Sequence, residues 1–169
     1  MKNAILGYKM FNPDKYLGLW YEIIRYPSWF EPAGSYNTTA TYSLNMDGSI
    51  QVINSTITPE GENIIVNGEA RLREALFNDG AVPIGSLHVS FPGFPDHSKE
   101  ANYLIDNIFL NSEGEYLYAI VSNSSRDSLF VLSRVPTRDI RMETMMQLLN
   151  YLSEKYDLSK IEHVPHFML

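Results

Sequence analysis

The chain has 169 residues, enough for one domain with a sizeable core. Its 13 Lys and Arg are outnumbered by 20 Asp and Glu, a formal charge of −7, which disfavours nucleic-acid binding and simple electrostatic attachment to anionic membranes. It has no cysteine, which excludes thiol catalysis and disulfides, and no apolar run approaches the ~20 residues of a membrane-spanning helix.

In chain order, Asn12-Pro13-Asp14 is a helix-start or turn signal. Gly18 permits a sharp turn two residues before Trp20, from which an aromatic and β-branched run reads as a strand ending at Pro27. Residues 28–36 form a loop with Pro32, Gly34 and the aromatics Trp29, Phe30 and Tyr36. Residues 37–45 alternate, Asp47-Gly48 is a hairpin turn, and 49–58 form the return strand, closed by Pro59-Glu60-Gly61. Residues 64–77 read as a long strand, curved or bulged near Gly68. A turn at Asn78-Asp79-Gly80 leads to a strand over 86–91, and the prolines of 92–98 make that segment a rim loop. Strands over 101–110 and 116–122 pair through Ser112-Glu113-Gly114, and a polar turn precedes a strand over 128–134.

Eight short strands with regular turn signals predict an all-β fold, either a sandwich or an antiparallel up-and-down barrel. Thr137 is the expected N-cap of a single helix over about 137–155. Ile140, Met145, Leu148, Leu149, Leu152 and Tyr156 form its apolar stripe, expected to pack on the outside of the sheet. A final edge strand is expected over 161–164. No linker or repeat divides the chain, so 1–169 reads as one domain.

The order Gly18-Leu19-Trp20-Tyr21-Glu22 resembles the Gly-x-Trp signature of the lipocalins. Phe30-Glu31, the run from Thr39 to Leu44, Asp47-Gly48 and Val52-Ile53-Asn54 are similar to the branch of that family holding bacterial outer-membrane lipocalin, plant temperature-induced lipocalin and apolipoprotein D. Phe130-Val131-Leu132-Ser133-Arg134 resembles the third family motif, whose Arg stacks over the motif Trp. The second motif is partial, with Glu115-Tyr116 where Thr-Asp-Tyr is usual, and Ser128 stands where close relatives often carry Tyr.

The resemblance selects the eight-stranded barrel with one helix outside. It also sets the phase of each strand: with Trp20 inward at the closed end, Ala40, Tyr42, Val52, Asn54, Phe130 and Leu132 face the interior, and Tyr103 is counted with them. Trp29, Phe30 and Tyr36 would rim the mouth. Gly18, Trp20 and Arg134 would form the structural base. Glu22 could face inward as a perturbed carboxylate, although hydrogen-bonded structure at the base is the plainer reading.

Catalysis finds little support. His88, His97, His163 and His166 are dispersed, and His163 and His166 lie on a tail expected to fray, so no metal site, cofactor or catalytic residue is expected. The resemblance implies a non-enzymatic carrier or store of a small hydrophobic ligand, a fatty acid or lysophospholipid. The rivals are an enzyme acting on a lipophilic substrate, favoured by a buried carboxylate or Tyr with a shifted pKa, and a filled barrel that binds a partner. Peripheral membrane contact and a monomeric or homodimeric state stay open at this level. With Met1 as the native start the expected location is the cytoplasm; a removed leader would place the protein in the periplasm or outside the cell.

Overall fold

The structure is a computed structural model that describes residues 2–4, 11–28, 31–93 and 98–169. Among the described residues there are ten strands: β1 (Lys2–Ala4), β2 (Gly18–Arg25), β3 (Tyr36–Leu44), β4 (Ile50–Ile57), β5 (Asn63–Leu72), β6 (Gly85–Ser90), β7 (Tyr103–Leu110), β8 (Tyr116–Ser122), β9 (Phe130–Ser133) and β10 (Glu162–His163). Strands β2 to β9 pair each with the next, all antiparallel, and β9 pairs back onto β2. This closes an eight-stranded up-and-down barrel. Outside the closed set, β1 adds to β7 and β10 adds to β2. The sequence reading contained no β1, because three residues are too short to show a period.

One end of the barrel is plugged. Asn12 caps the short helix α1 (Pro13–Tyr16) by accepting the Asp14 N–H at 3.0 Å. Tyr16 and Trp20, both fully buried, sit beneath the strands, while the Phe11 ring stacks on Tyr116 and lies against Gly85. The opposite end carries the β2–β3 loop and the starts of β3, β5 and β7.

Apolar side chains form two clusters, one on each face of the strands. The inner one includes Trp20, Ala40, Val52, Leu87, Ile105 and Leu132; the outer one holds Ile23, Ile24, Ile120 and Val131. The helix α2 (Met142–Leu152) covers the outer cluster through buried Leu148 and Leu152 with Met145 and Leu149 beside them, so its stripe packs against the barrel.

That helix is shorter than the predicted 137–155. Thr137 does not cap it: Thr137–Asp139 form a separate 3-10 turn, the Thr137 hydroxyl donates to the Val164 carbonyl at 2.6 Å, and α2 starts after an extended Arg141. The tail that follows is not frayed at His166, which is buried between Thr137 and β3.

At Gly68 the β4–β5 register runs without a shift, pairing Val52 with Gly68, so the expected bulge is absent. The glycine answers a close approach instead: a Cβ there would lie 2.6 Å from the Phe91 ring. The long strand predicted over 64–77 also ends early, at Leu72; Phe77 is buried with the Arg126 guanidinium 3.8 Å from its ring centre, while Leu76 stays exposed.

Candidate ligand-binding cavity

Gly18 begins β2 with φ +99°, and a Cβ there would lie 3.4 Å from the Arg134 guanidinium. Trp20 then turns its ring inward, its indole N–H donating to the Tyr16 carbonyl at 2.8 Å. The Arg134 guanidinium lies 3.8 Å from the centre of that ring. Its N–H groups donate to the carbonyls of Leu19 (2.7 Å), Leu17 (2.8 Å), Lys15 (3.0 Å) and Tyr116 (3.4 Å). Cation–π attraction of ~1–2 kcal/mol in a shielded site, added to four carbonyls that would otherwise lack these donors, makes this a structural clamp on the closed end.

Above the plug the barrel encloses a cavity of about 340 Å³. The volume sits near the lower end of the ~300–1,000 Å³ of small-molecule sites, suited to one slender ligand. The seven positions assigned to the interior from the sequence, Ala40, Tyr42, Val52, Asn54, Tyr103, Phe130 and Leu132, all lie on its lining. Ile64, Val66, Val89 and Phe91 extend the apolar wall, and Thr38, Thr39, Ser55, Thr56 and Asn102 add polar points. Tyr36 is not on the lining; its ring packs edge-on against Phe167. Trp29, Phe30 and His97 lie outside the described residues.

The floor is phenolic. The Tyr103 hydroxyl shares hydrogen bonds with Tyr16 (2.6 Å) and Tyr42 (2.9 Å). Burial raises the pKa of all three, that of Tyr42 to about 12, so they stay neutral phenols at physiological pH.

One wall is charged. Glu22, two residues on from Trp20 and therefore on the same face, lines the cavity together with Glu31. Arg25 holds both from behind: its Nη1 is 3.3 Å from Glu22 Oε2 and 3.3 Å from Glu31 Oε1, and its Nε donates to Glu162 Oε2 at 3.1 Å. Arg25 is 1% exposed and is not on the lining. Burial, and then the Glu31 carboxylate, push the Glu22 pKa well above the usual carboxylate range, outweighing the neighbouring Arg25. Three carboxyl groups against one guanidinium is an excess that retention of a proton on Glu22 relieves.

Sequence reasoning weighed Glu22 as an inward, perturbed carboxylate but preferred a place at the base, named Glu31 only within a family match, and did not single out Arg25. The period of β2 carried the signal for Glu22. The Glu31 contact depends on how the β2–β3 loop folds back, and no periodicity reports that. Val66 and Ile64 were also legible in principle: they oppose Asn54 and Thr56 across the ladder, but the supposed bulge at Gly68 hid the phase.

A closed antiparallel barrel, plugged at one end and holding an apolar cavity, is the architecture of a small-molecule binding protein. A family model described as a lipocalin-like domain matches residues 11–166. Temperature-induced lipocalin-1 of Arabidopsis thaliana is 32% identical over 158 residues, 93% of this chain and 80% of that protein. The outer membrane lipoprotein Blc of Escherichia coli K12 is 36% identical over 151 residues, 89% of this chain and 76% of that protein. The crystal structure of lobster apocrustacyanin A1 shares the fold with a TM-score of 0.60 at 14% identity, covering 99% of this chain and 89% of that one. The chain belongs to the lipocalin family, whose members bind small hydrophobic ligands.

Proposed function

We propose that the protein binds and carries, or stores, one single-chain lipid inside the barrel, of the fatty acid or lysophospholipid class. The observation that carries the reading is the cavity of about 340 Å³, walled by Ala40, Val52, Val66, Val89 and Leu132 and closed below by Trp20 and the three phenols. Its mechanism is burial without chemistry. Each methylene withdrawn from water contributes ~0.8 kcal/mol, so an acyl chain reaches micromolar affinity after ordering costs.

The test is solvent extraction of the purified protein, with mass spectrometry of both extract and intact protein. One stoichiometric single-chain lipid, released on unfolding, is the expected result. A protein that yields no lipid and does not bind a fluorescent fatty acid would overturn the reading.

A second reading, catalysis on a lipophilic substrate, draws on one observation: a carboxyl with a raised pKa, Glu22, on the cavity wall. The hydrogen bond it accepts from Arg25 gives that carboxyl a structural role already. Recovery of the bound lipid unchanged after prolonged incubation separates the carrier from the enzyme.

A further inference from the structure

The described residues that line the cavity include no Lys, Arg or His. The neighbouring cation, Arg25, has all three nitrogens engaged: Nε with Glu162, Nη1 with Glu22 and Glu31, and Nη2 with the Ser35 carbonyl at 3.4 Å. It stands behind the two carboxyl groups, so a head group that reaches this wall meets acid before it meets base. Glu31 is itself 8% exposed; its carboxyl faces Arg25 through Oε1 and shares a hydrogen bond with that of Glu22, yet its Oε2 has no further hydrogen-bond partner among the described residues. A buried acceptor left without a donor is costly, and a ligand that supplies one removes that cost. A carboxylate supplies only acceptors and a second negative charge. A hydroxyl supplies a donor and no charge. The phenols on the floor bond to one another and hold no positive charge to receive an anion.

We propose that the Glu22–Glu31 wall selects single-chain lipids whose buried polar group is an uncharged hydrogen-bond donor, a hydroxyl, and disfavours a free carboxylate. This rests on the carrier reading and refines it. Of the two lipid classes named there, the glycerol hydroxyl of a lysophospholipid suits the wall and the head of a fatty acid does not.

The experiment compares two ligands with the same chain, 1-dodecanol and dodecanoate, as competitors for N-phenyl-1-naphthylamine bound to the full protein at pH 8. The alcohol is expected to bind at least tenfold more tightly. In Glu31→Gln, whose amide brings its own donor and removes a charge, that ratio is expected to fall below threefold, with thermal unfolding confirming a folded variant. Dodecanoate binding as tightly as the alcohol to the wild-type protein would overturn the proposal and leave the carrier reading standing; this arm decides whether or not the variant folds. A tenfold preference that survives in folded Glu31→Gln would overturn the assignment to this wall. Failure of both ligands to displace the probe would overturn the carrier reading and the proposal together.

Discussion

The two ends of β2 are each held by a guanidinium, and the two are held by opposite means. At the Gly18 end, Arg134 meets backbone carbonyls and an indole face, and none of these contacts is with a carboxylate. At the other end, Arg25 meets three carboxyl groups and one carbonyl. Arg134 satisfies polar groups of the plug and leaves nothing over. Arg25 is outnumbered, so the acid it fails to neutralise remains as chemistry on the cavity wall. The same residue type thus closes the barrel at one end and sets the character of its interior at the other.

The largest effect is expected from Arg25→Met. Removing one member of a buried ionic cluster leaves the others uncompensated, at a cost of ~3–5 kcal/mol measured by denaturant unfolding at pH 7.5. The deficit should shrink at acid pH, where Glu22, whose pKa burial already raises, is neutral and needs no partner. A deficit independent of pH would mean that Arg25 acts by packing alone, and the contrast with Arg134 would collapse. Arg134→Ala should cost less, about 2–4 kcal/mol, through the lost cation–π contact and the orphaned carbonyls. Because its hydrogen-bond partners are carbonyls and its nearest acid is the exposed Glu115, that deficit should change less with pH than that of Arg25→Met, with ligand preference unchanged. An unchanged melting temperature would show that the clamp is dispensable.

The sequence made the Arg134 end legible and the Arg25 end obscure, for a physical reason. Gly18, Trp20 and Arg134 are motif residues whose partners are backbone atoms, so their arrangement follows once the strands are placed. The inward parity of Tyr42, Val52, Asn54 and Leu132 follows from the same placement, because a strand's period is two. Arg25, Glu31 and Glu162 come from a strand, a loop and the chain's tail, and their meeting is a tertiary fact with no local trace. Thr137 failed for a related reason. As a good N-cap it predicted a helix start, but its hydroxyl is taken by Val164, 27 residues on.

The wall formed by β5 and β6 offers a sharper contrast with the charged wall, since its shape and not its charge defines it. Gly68→Ala places a methyl 2.6 Å from Phe91, whose ring lines the cavity, and 2.8 Å from the Ser90 carbonyl. Overpacking of this kind costs ~1–3 kcal/mol, and displacement of the ring should weaken binding of the naphthylamine probe. The alcohol-to-carboxylate ratio should stay as it is, because the Glu22–Glu31 wall is untouched. A changed ratio would show that head-group choice is spread over the whole cavity.

The smallest effect concerns the tail that His166 fastens to β3, and it runs opposite in pH to that of Glu22. Its Nε2 donates to the Thr38 carbonyl at 2.9 Å, and its Nδ1 accepts the Thr137 backbone N–H at 3.2 Å, so the fold holds the neutral ring. Burial lowers its pKa, with the charge of Arg138 adding to the effect against the Thr38 bond. Protons therefore bind the unfolded chain more readily. The stability from this site is complete above the ordinary His pKa of ~6.5 and declines as pH falls below it. Glu22, whose pKa is raised, favours the fold below the ordinary carboxylate range and loses that contribution as pH rises through its raised pKa. Hydrogen exchange at the Phe167 N–H, which donates to Asn37 Oδ1 at 2.7 Å, should accelerate below pH 6 relative to intrinsic rates while the barrel strands stay protected. In His166→Asn that acid-specific loosening should vanish. Loosening that persists in the variant would place the sensitive group elsewhere.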